Sequence, residues 1–283
     1  MDASRHLAAL SAARTLLFVP GNRPERFMKA LESGADAVVL DLEDAVPPAQ
    51  KAQARTAIAE AWDGLCASPV PLVVRISTPR SDDGRQDIDW LAGRPTPAGV
   101  MVAKSESAED LAAVRRAAPA AALLPLFESA AGHAALALIA AAPGVLRLVL
   151  GHIDFMADTG LHCSDDEREL DPLRFAIAMQ TRLQRLQPAV DGVTVAIDDE
   201  ARLRADTRRA LNFGFGAKLC IHPRQVAVVH EALAPAADEL AWARRVLAAD
   251  AAAGGAAVQL DGGMVDLPVV LQARRTVARV RGG

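Results

Sequence analysis

The sequence predicts an α/β chain folded as a (β/α)8 TIM barrel with a short helical extension at its C-terminus. Three observations carry this expectation. Short β-branched runs alternate with longer alanine-rich runs of helical period, eight times over within residues 15–223. The short runs are nearly continuous in apolar residues, as parallel strands covered on both faces require. The first of them is not followed by the glycine fingerprint of a dinucleotide-binding sheet, which ranks the closed barrel above a doubly wound open sheet.

In order, the strand segments are "TLLFVP" (15–20), "DAVVLDLE" (36–43), "PLVVRIS" (71–77) and "GVMVAK" (99–104). They continue with "ALLPLFES" (122–129), "VLRLVLGHID" (145–154), "GVTVAI" (192–197) and "AKLCIHP" (217–223). Helical stretches between them open on a proline or a capping residue, such as Pro24, or Ser107 with Asp110 three positions on. Pro125 cannot donate to a sheet ladder, so a bulge is expected in the fifth strand. The long connection "FMADTGLHCSDDERELDP" reads as a loop over a site. After a glycine-rich linker, residues 254–283 read as an appendage to a barrel spanning 1–253.

Composition narrows the function. With no tyrosine, 4% aromatic residues and a formal net charge of -4, the chain is poorly suited to stacking bases or neutralising a phosphate backbone. Three scattered cysteines, Cys66, Cys163 and Cys220, form no CxxC pair, which points to reduced thiols in a cytoplasmic protein and away from a zinc site. No stretch has the apolar length of a signal peptide or a membrane span. GxSxG, Walker A and HExxH patterns are missing as well.

Polar residues collect where the strand segments end: Glu43 and Asp44, Arg75, Lys104, Glu128, Asp154, Asp198 and His222. In a parallel barrel these ends share one rim, the rim on which active sites are built. Glu128 and Asp154 end adjacent strand segments. Two carboxylates held close raise each other's pKa unless a cation neutralises them, and a hard, oxygen-preferring ion such as Mg2+ takes one or two carboxylates together with water and substrate oxygens. Arg75 can hold the carboxylate or carbonyl of a keto acid bound there. By strand alternation His152 shares the face of Asp154, although a structural role is the stronger expectation for it.

"LLFVPGNRPERFMKALESGADAVVLDLEDAVPPAQKAQAR" resembles the opening of the citrate lyase beta-subunit-like family, within the HpcH/HpaI aldolase superfamily. The similarity runs on through "VVRIS", "VMVAKSESAEDL", "PLFESA", "LGHIDFMADTG", "GFGAKLCIHPRQV" and "LDGGMVDLPVVLQARR". The resemblance implies a modified (β/α)8 barrel, a homotrimer or hexamer, and a magnesium-dependent carbon–carbon lyase acting on CoA thioesters. It places the magnesium ligands on Glu128 and Asp154 and the substrate arginine on Arg75, with Glu128 bordering the substrate. It also places an acid/base aspartate on Asp266, in a tail that reaches a neighbouring subunit. The chain departs from the family pattern at Ser77, Ala103 and "GHIDF", all close to the expected pocket. For such a substrate, Arg23 and Lys29 in "NRPERFMK" are candidates for CoA phosphate contacts. A CoA thioesterase on the same metal site, and a citrate lyase complex subunit acting on an acyl carrier, stay open as alternatives.

Overall fold

The computed structural model describes residues 3–280 of the chain. Helix α1 (Ala3–Ala12) precedes β1 (Thr15–Pro20), and then α2 (Phe27–Leu31), β2 (Ala37–Asp41), α3 (Lys51–Cys66), β3 (Leu72–Ile76) and α4 (Asp82–Ala92) follow. Next come β4 (Gly99–Val102), α5 (Ala108–Ala117), β5 (Ala122–Phe127), α6 (Ala130–Ala134), α7 (Leu136–Ala140), β6 (Val149–Leu150) and α8 (His152–Thr159). The first unit ends with α9 (Asp171–Leu183), β7 (Val190–Asp191), α10 (Glu200–Asn212), β8 (Ala217–Cys220) and α11 (Pro223–Leu233), which runs past its boundary. The eight strands pair in sequence order and close into a parallel (β/α)8 barrel, β8 returning to β1.

Several helices start where the sequence supplies a cap. Ser81, Ser107, Ser129 and Asp199 each accept a hydrogen bond from a backbone N–H three residues on, at 2.9–3.2 Å. Each therefore satisfies one of the orphan donors of a helix N-terminus. Among the described residues, no helix is long and apolar enough to cross a membrane.

Inside the barrel, alternate residues of neighbouring strands pack into one cluster: Leu16, Ala37, Val39, Val73, Met101, Leu124, Leu126, Val149, Val190 and Leu219. Leu10 and Ala13 join this cluster from α1 and the turn after it, so α1 closes the N-terminal mouth. Arg147 secures that closure. Its side chain is fully buried and donates to the carbonyls of Leu10, Ala13 and Pro188. Burial pulls its pKa down to about 10, so it stays charged at neutral pH on backbone dipoles and the field of Asp36. Arg147→Met should strand those carbonyls and cost about 2–3 kcal/mol in urea unfolding. An unshifted urea midpoint would show that α1 is held by packing alone.

The first five strands and the eighth match their predicted segments to within two residues at either end, apart from a C-terminal trim of up to three residues. The sixth and seventh do not. Regular pairing in the sixth is confined to Val149–Leu150, and "HID" lies in α8 instead of a strand. The seventh is Val190–Asp191, upstream of the β-branched run 192–197 that suggested it. Gly151 and Gly192 end these strands early, and the apolar residues beyond them are drawn into a helix turn and a rim loop.

Pro125 sits in regular register opposite Val102, so the bulge expected in β5 is not in β5. It lies across the ladder: Leu123 bridges Val145 and Leu126 pairs with Val149, so the facing segment uses one residue more over the same span. Leu123 and Phe127 bond toward that segment, and Pro125 shares their side of the strand. The missing N–H therefore faces the point where the partner has bulged away, and no ladder bond is lost.

The second compact unit begins at His230, earlier than the 253/254 boundary that the glycine-rich run suggested. It holds α12 (Ala237–Ala252), the antiparallel pair β9 (Val258–Leu260) and β10 (Gly263–Val265), and α13 (Leu267–Ala278). Helix α12 groups with the tail because Ala243 and Val246 share a core with Val265, Val270 and Ala273.

Candidate active site

Three strands end their inward-facing rows in charge. Ala37 and Val39 are followed at the same parity by Asp41, Val73 by Arg75, and Leu124 and Leu126 by Glu128. All three charged side chains are buried or nearly so. A polar layer thus lies on the apolar barrel core at the C-terminal ends of the strands.

Arg75 anchors this layer. Its Nε and Nη2 donate to the two oxygens of Asp41 at 2.7 and 2.6 Å, a bidentate pair, and its guanidinium lies 4.7 Å from the centre of the Phe18 ring. Asp41 also accepts from the N–H groups of Glu43 and Ala45, so no oxygen of it is spare. Burial alone would lower the pKa of Arg75, but Asp41, Glu43 and Glu128 together raise it, and the guanidinium stays charged. The fork that sequence reasoning reserved for a ligand is therefore taken by Asp41. What remains is the outer edge with Nη1, which is 3.2 Å from Glu43 Oε2.

Glu128 is 3% exposed, and its Oε2 accepts the N–H of Lys104 at 2.9 Å. Its side chain lies across Gly151, where an added Cβ would stand 2.3 Å from Glu128 Cγ. Burial first, then the fields of Glu43 and Asp154, push the carboxyl up to about 8, against the opposing pull of Arg75. Glu43 is raised too, chiefly by burial, although Arg75 and Lys104 oppose the shift. Lys104 Nζ lies 2.6 Å from Glu43 Oε1, 3.4 Å from Asp44 Oδ2 and 3.8 Å from Asp154 Oδ1.

Asp154 does reach this group, from a different element than expected. It stands in the first turn of α8, where a carboxylate is favoured by the helix dipole, with its side chain 38% exposed. The helical geometry separates it from His152. Two residues apart on a helix means opposite faces, and His152 is buried with Nε2 3.9 Å from Glu167.

His152 belongs to a second charged cluster on the outer side of the barrel wall. Asp191 and Lys218 follow the inward Val190 and Ala217, so they point outward, paired at 2.8 Å. Arg174 of α9 lies 3.5 Å from Asp191 and 2.6 Å from Glu167, and Glu167 also receives Arg202 and Arg209. Gly192 lets the strand pass His152, since a Cβ there would come 2.2 Å from Nδ1. These ion pairs pin the long connection before α9 to the helices around it.

Of the remaining candidates, Arg23 follows β1 on the same rim, exposed and paired with Glu25 at 2.6 Å. Lys29 is exposed in the last turn of α2. Asp266 lies in the second unit and caps α13, accepting the N–H of Val269 at 3.4 Å. Asp198 is exposed and pairs with Arg224, and the ring nitrogen of His222 accepts the N–H of Arg224, both apart from the polar layer. Sequence reasoning passed over Asp41, and the signal was its parity with Ala37 and Val39. Ser77, one of the departures from the family pattern, is buried and accepts from Lys51 Nζ at 3.0 Å.

Among the described residues, no three His, Cys, Asp or Glu side chains form a ready-made metal cage. The donors that could hold a cation are the oxygens of Glu128 and Asp154. Their chemistry suits a hard ion that keeps several waters, and such an ion would offset both the burial that chiefly raises the pKa of Glu128 and the fields of Glu43 and Asp154 that add to it.

Residues 14–223 match the HpcH/HpaI aldolase/citrate lyase family. The chain is 38% identical over 270 residues to a citrate lyase subunit beta-like protein of Mycobacterium tuberculosis, covering 93% of this chain and 94% of the relative. It is 30% identical over 269 residues to a (3S)-malyl-CoA thioesterase of Cereibacter sphaeroides, covering 94% of each. The structure of the protein CitE from Mycobacterium tuberculosis, in complex with magnesium, acetoacetate and coenzyme A, superposes with a TM-score of 0.82 at 36% identity, over 95% of this chain and 98% of that one. With a barrel of this kind and similarity along nearly its whole length, the chain belongs to the HpcH/HpaI aldolase/citrate lyase family of enzymes.

Proposed function

We propose that the protein is a magnesium-dependent carbon–carbon lyase that cleaves, or forms, a carboxylated 3-hydroxyacyl-CoA, with acetyl-CoA and a 2-keto acid as the other side of the reaction. The observation that carries this reading is Glu128, a buried carboxyl beside a charged Arg75 on the rim of a barrel whose overall fold is similar to that of a protein solved with magnesium, acetoacetate and coenzyme A.

In this reading Glu128 and Asp154 hold the ion, and the bound ion would supply Lewis acidity at the oxygens of the keto-acid half. The outer edge of Arg75 takes the substrate's carboxylate and stabilises negative charge as it develops there. Asp41 supports this by fixing the plane of the guanidinium. A substrate oxygen arriving at Nη1 takes the place of Glu43, which Lys104 then holds aside. Cleavage turns the hydroxyl carbon into the keto group as the hydroxyl proton passes to solvent water, and the electron pair of the carbon–carbon bond moves into the thioester as an enolate. Asp266 of a neighbouring copy protonates the enolate carbon and regains its proton from solvent. Arg23 and Lys29 serve the CoA phosphates. A homo-oligomer, trimeric or hexameric, is part of the same proposal.

The test is a panel of citramalyl-, malyl- and citryl-CoA with magnesium, scored for both keto acid and free thiol. At least one ester should give stoichiometric keto acid and acetyl-CoA. The similarity to a malyl-CoA thioesterase gives a second reading, in which water attacks the thioester. Free thiol without keto acid would select it. Turnover of a soluble CoA ester by the purified chain would exclude a dependence on an acyl carrier.

A further inference from the structure

Lys104 reaches four carboxylates of the rim by two different groups. Its backbone N–H holds Glu128 Oε2 at 2.9 Å. Its ammonium lies 2.6 Å from Glu43, 3.4 Å from Asp44 and 3.8 Å from Asp154. The residue does this from a left-handed backbone, φ +48°, a conformation that non-glycine residues seldom take and that clusters at functional sites. Arg80 Nη2 donates to the Lys104 carbonyl at 3.1 Å and helps hold that turn. With its side chain 35% exposed, the ammonium is neither sealed in the core nor free in solvent. Burial works against its charge, and Glu43, Glu128 and Asp44 more than restore it.

Charges explain why a cation belongs there. Asp41, Glu43, Asp44, Glu128 and Asp154 meet around Arg75 and Lys104, and Arg75 is committed to Asp41. Without Lys104, Asp44 and Asp154 would lose the ammonium that faces them, and Glu43 would keep only the outer edge of Arg75, 3.2 Å away. We propose that Lys104 is a positioning residue that acts as the site's built-in counter-charge: its ammonium holds Glu43, Asp44 and Asp154 together while no divalent cation is bound, and competes with that cation for Asp154. This rests on the reading of Glu128 and Asp154 as metal ligands. A cation drawn to Asp154 shares that carboxylate with an ammonium 3.8 Å from its Oδ1, and two positive charges held by one carboxylate repel each other more strongly than in bulk water. The lysine thus trades metal affinity for a site that stays assembled when empty.

The experiment is calorimetric titration of Mg2+ into the full-length, substrate-free protein at low ionic strength, for wild type, Lys104→Met, Lys104→Gly and Lys104→Arg. The glycine variant suits the left-handed backbone and keeps the N–H to Glu128, so it serves even where the methionine variant misfolds. Loss of the ammonium should tighten Mg2+ binding about three- to tenfold, and the gain should shrink as salt is added. Lys104→Arg, which keeps the charge, should stay near wild type. The Mg2+-induced rise in Tm should be larger for Lys104→Gly than for wild type, whereas a merely structural lysine would leave that rise unchanged. Unchanged or weaker Mg2+ binding in the neutral variants overturns the proposal while leaving the metal reading intact. A wild-type protein that binds no Mg2+ overturns the metal reading, and the proposal with it.

Discussion

Glu128→Gln is expected to reduce magnesium-dependent turnover on the order of a thousandfold while leaving the metal-free fold at least as stable as wild type above neutral pH. Both halves of this expectation come from the same burial. As a carboxylate, Glu128 is a candidate ligand that an amide replaces poorly. As a buried acid, it carries a folded-state pKa of about 8 against an ordinary 4.5, raised by burial and by Glu43 and Asp154. Between those values the folded chain holds a proton that the unfolded chain has already lost. Stability of the metal-free protein therefore falls as pH rises from about 4.5 toward 8, by a few kcal/mol at most in the limit of full burial. The glutamine variant has no such proton and should show a flatter profile across that window. Unfolding of both proteins in chelator at several pH values measures the slope. Wild-type turnover that persists in excess chelator would sink the metal assignment, and parallel stability profiles would show that Glu128 ionises normally.

Asp266→Asn should lower lyase turnover by about 10²–10⁴ with little change in Tm. The choice of asparagine follows from the cap. Asp266 accepts the N–H of Val269 at the start of α13, and asparagine keeps such a bond where alanine would lose about 1 kcal/mol. The variant thus removes proton transfer without loosening the helix, which truncation before Gly254 cannot do. Solvent deuterium incorporation into the acetyl group should fall in step with turnover. A variant that stays fully active would show that the acid/base group lies elsewhere.

The sequence carried the barrel well where strands are long and apolar, and poorly where they are short. Runs such as "TLLFVP" and "ALLPLF" have no competing reading. "VLRLVLGHID" and "GVTVAI" also read as strands, yet only Val149 and Leu150 of the first pair regularly, and the seventh strand lies just upstream of the second, at Val190–Asp191. A glycine ends each of these strands, and each glycine passes close to a side chain from elsewhere in the chain, Gly151 under Glu128 and Gly192 beside His152. Asp154 was placed on the correct rim by the wrong element, because a strand end and the first turn of the following helix occupy the same side of a barrel.

Charge at the ends of apolar runs was legible in one dimension, and it assigned Arg75, Glu128 and Asp154 to a single rim. Which charges face each other was not. Asp41 and Lys218 both stand in apolar runs, but one points into the barrel and the other out of it, and only closure of the sheet separates the layer around Arg75 from the outer cluster around Glu167. By itself the sequence determined the fold class and the rim that carries Arg75 and Glu128, since both follow from periodicity along one chain. The orientation of Arg75, the protonation of Glu128 and the position of Lys104 among four carboxylates were decided by the tertiary structure, because burial and electrostatic fields arise from residues distant in sequence.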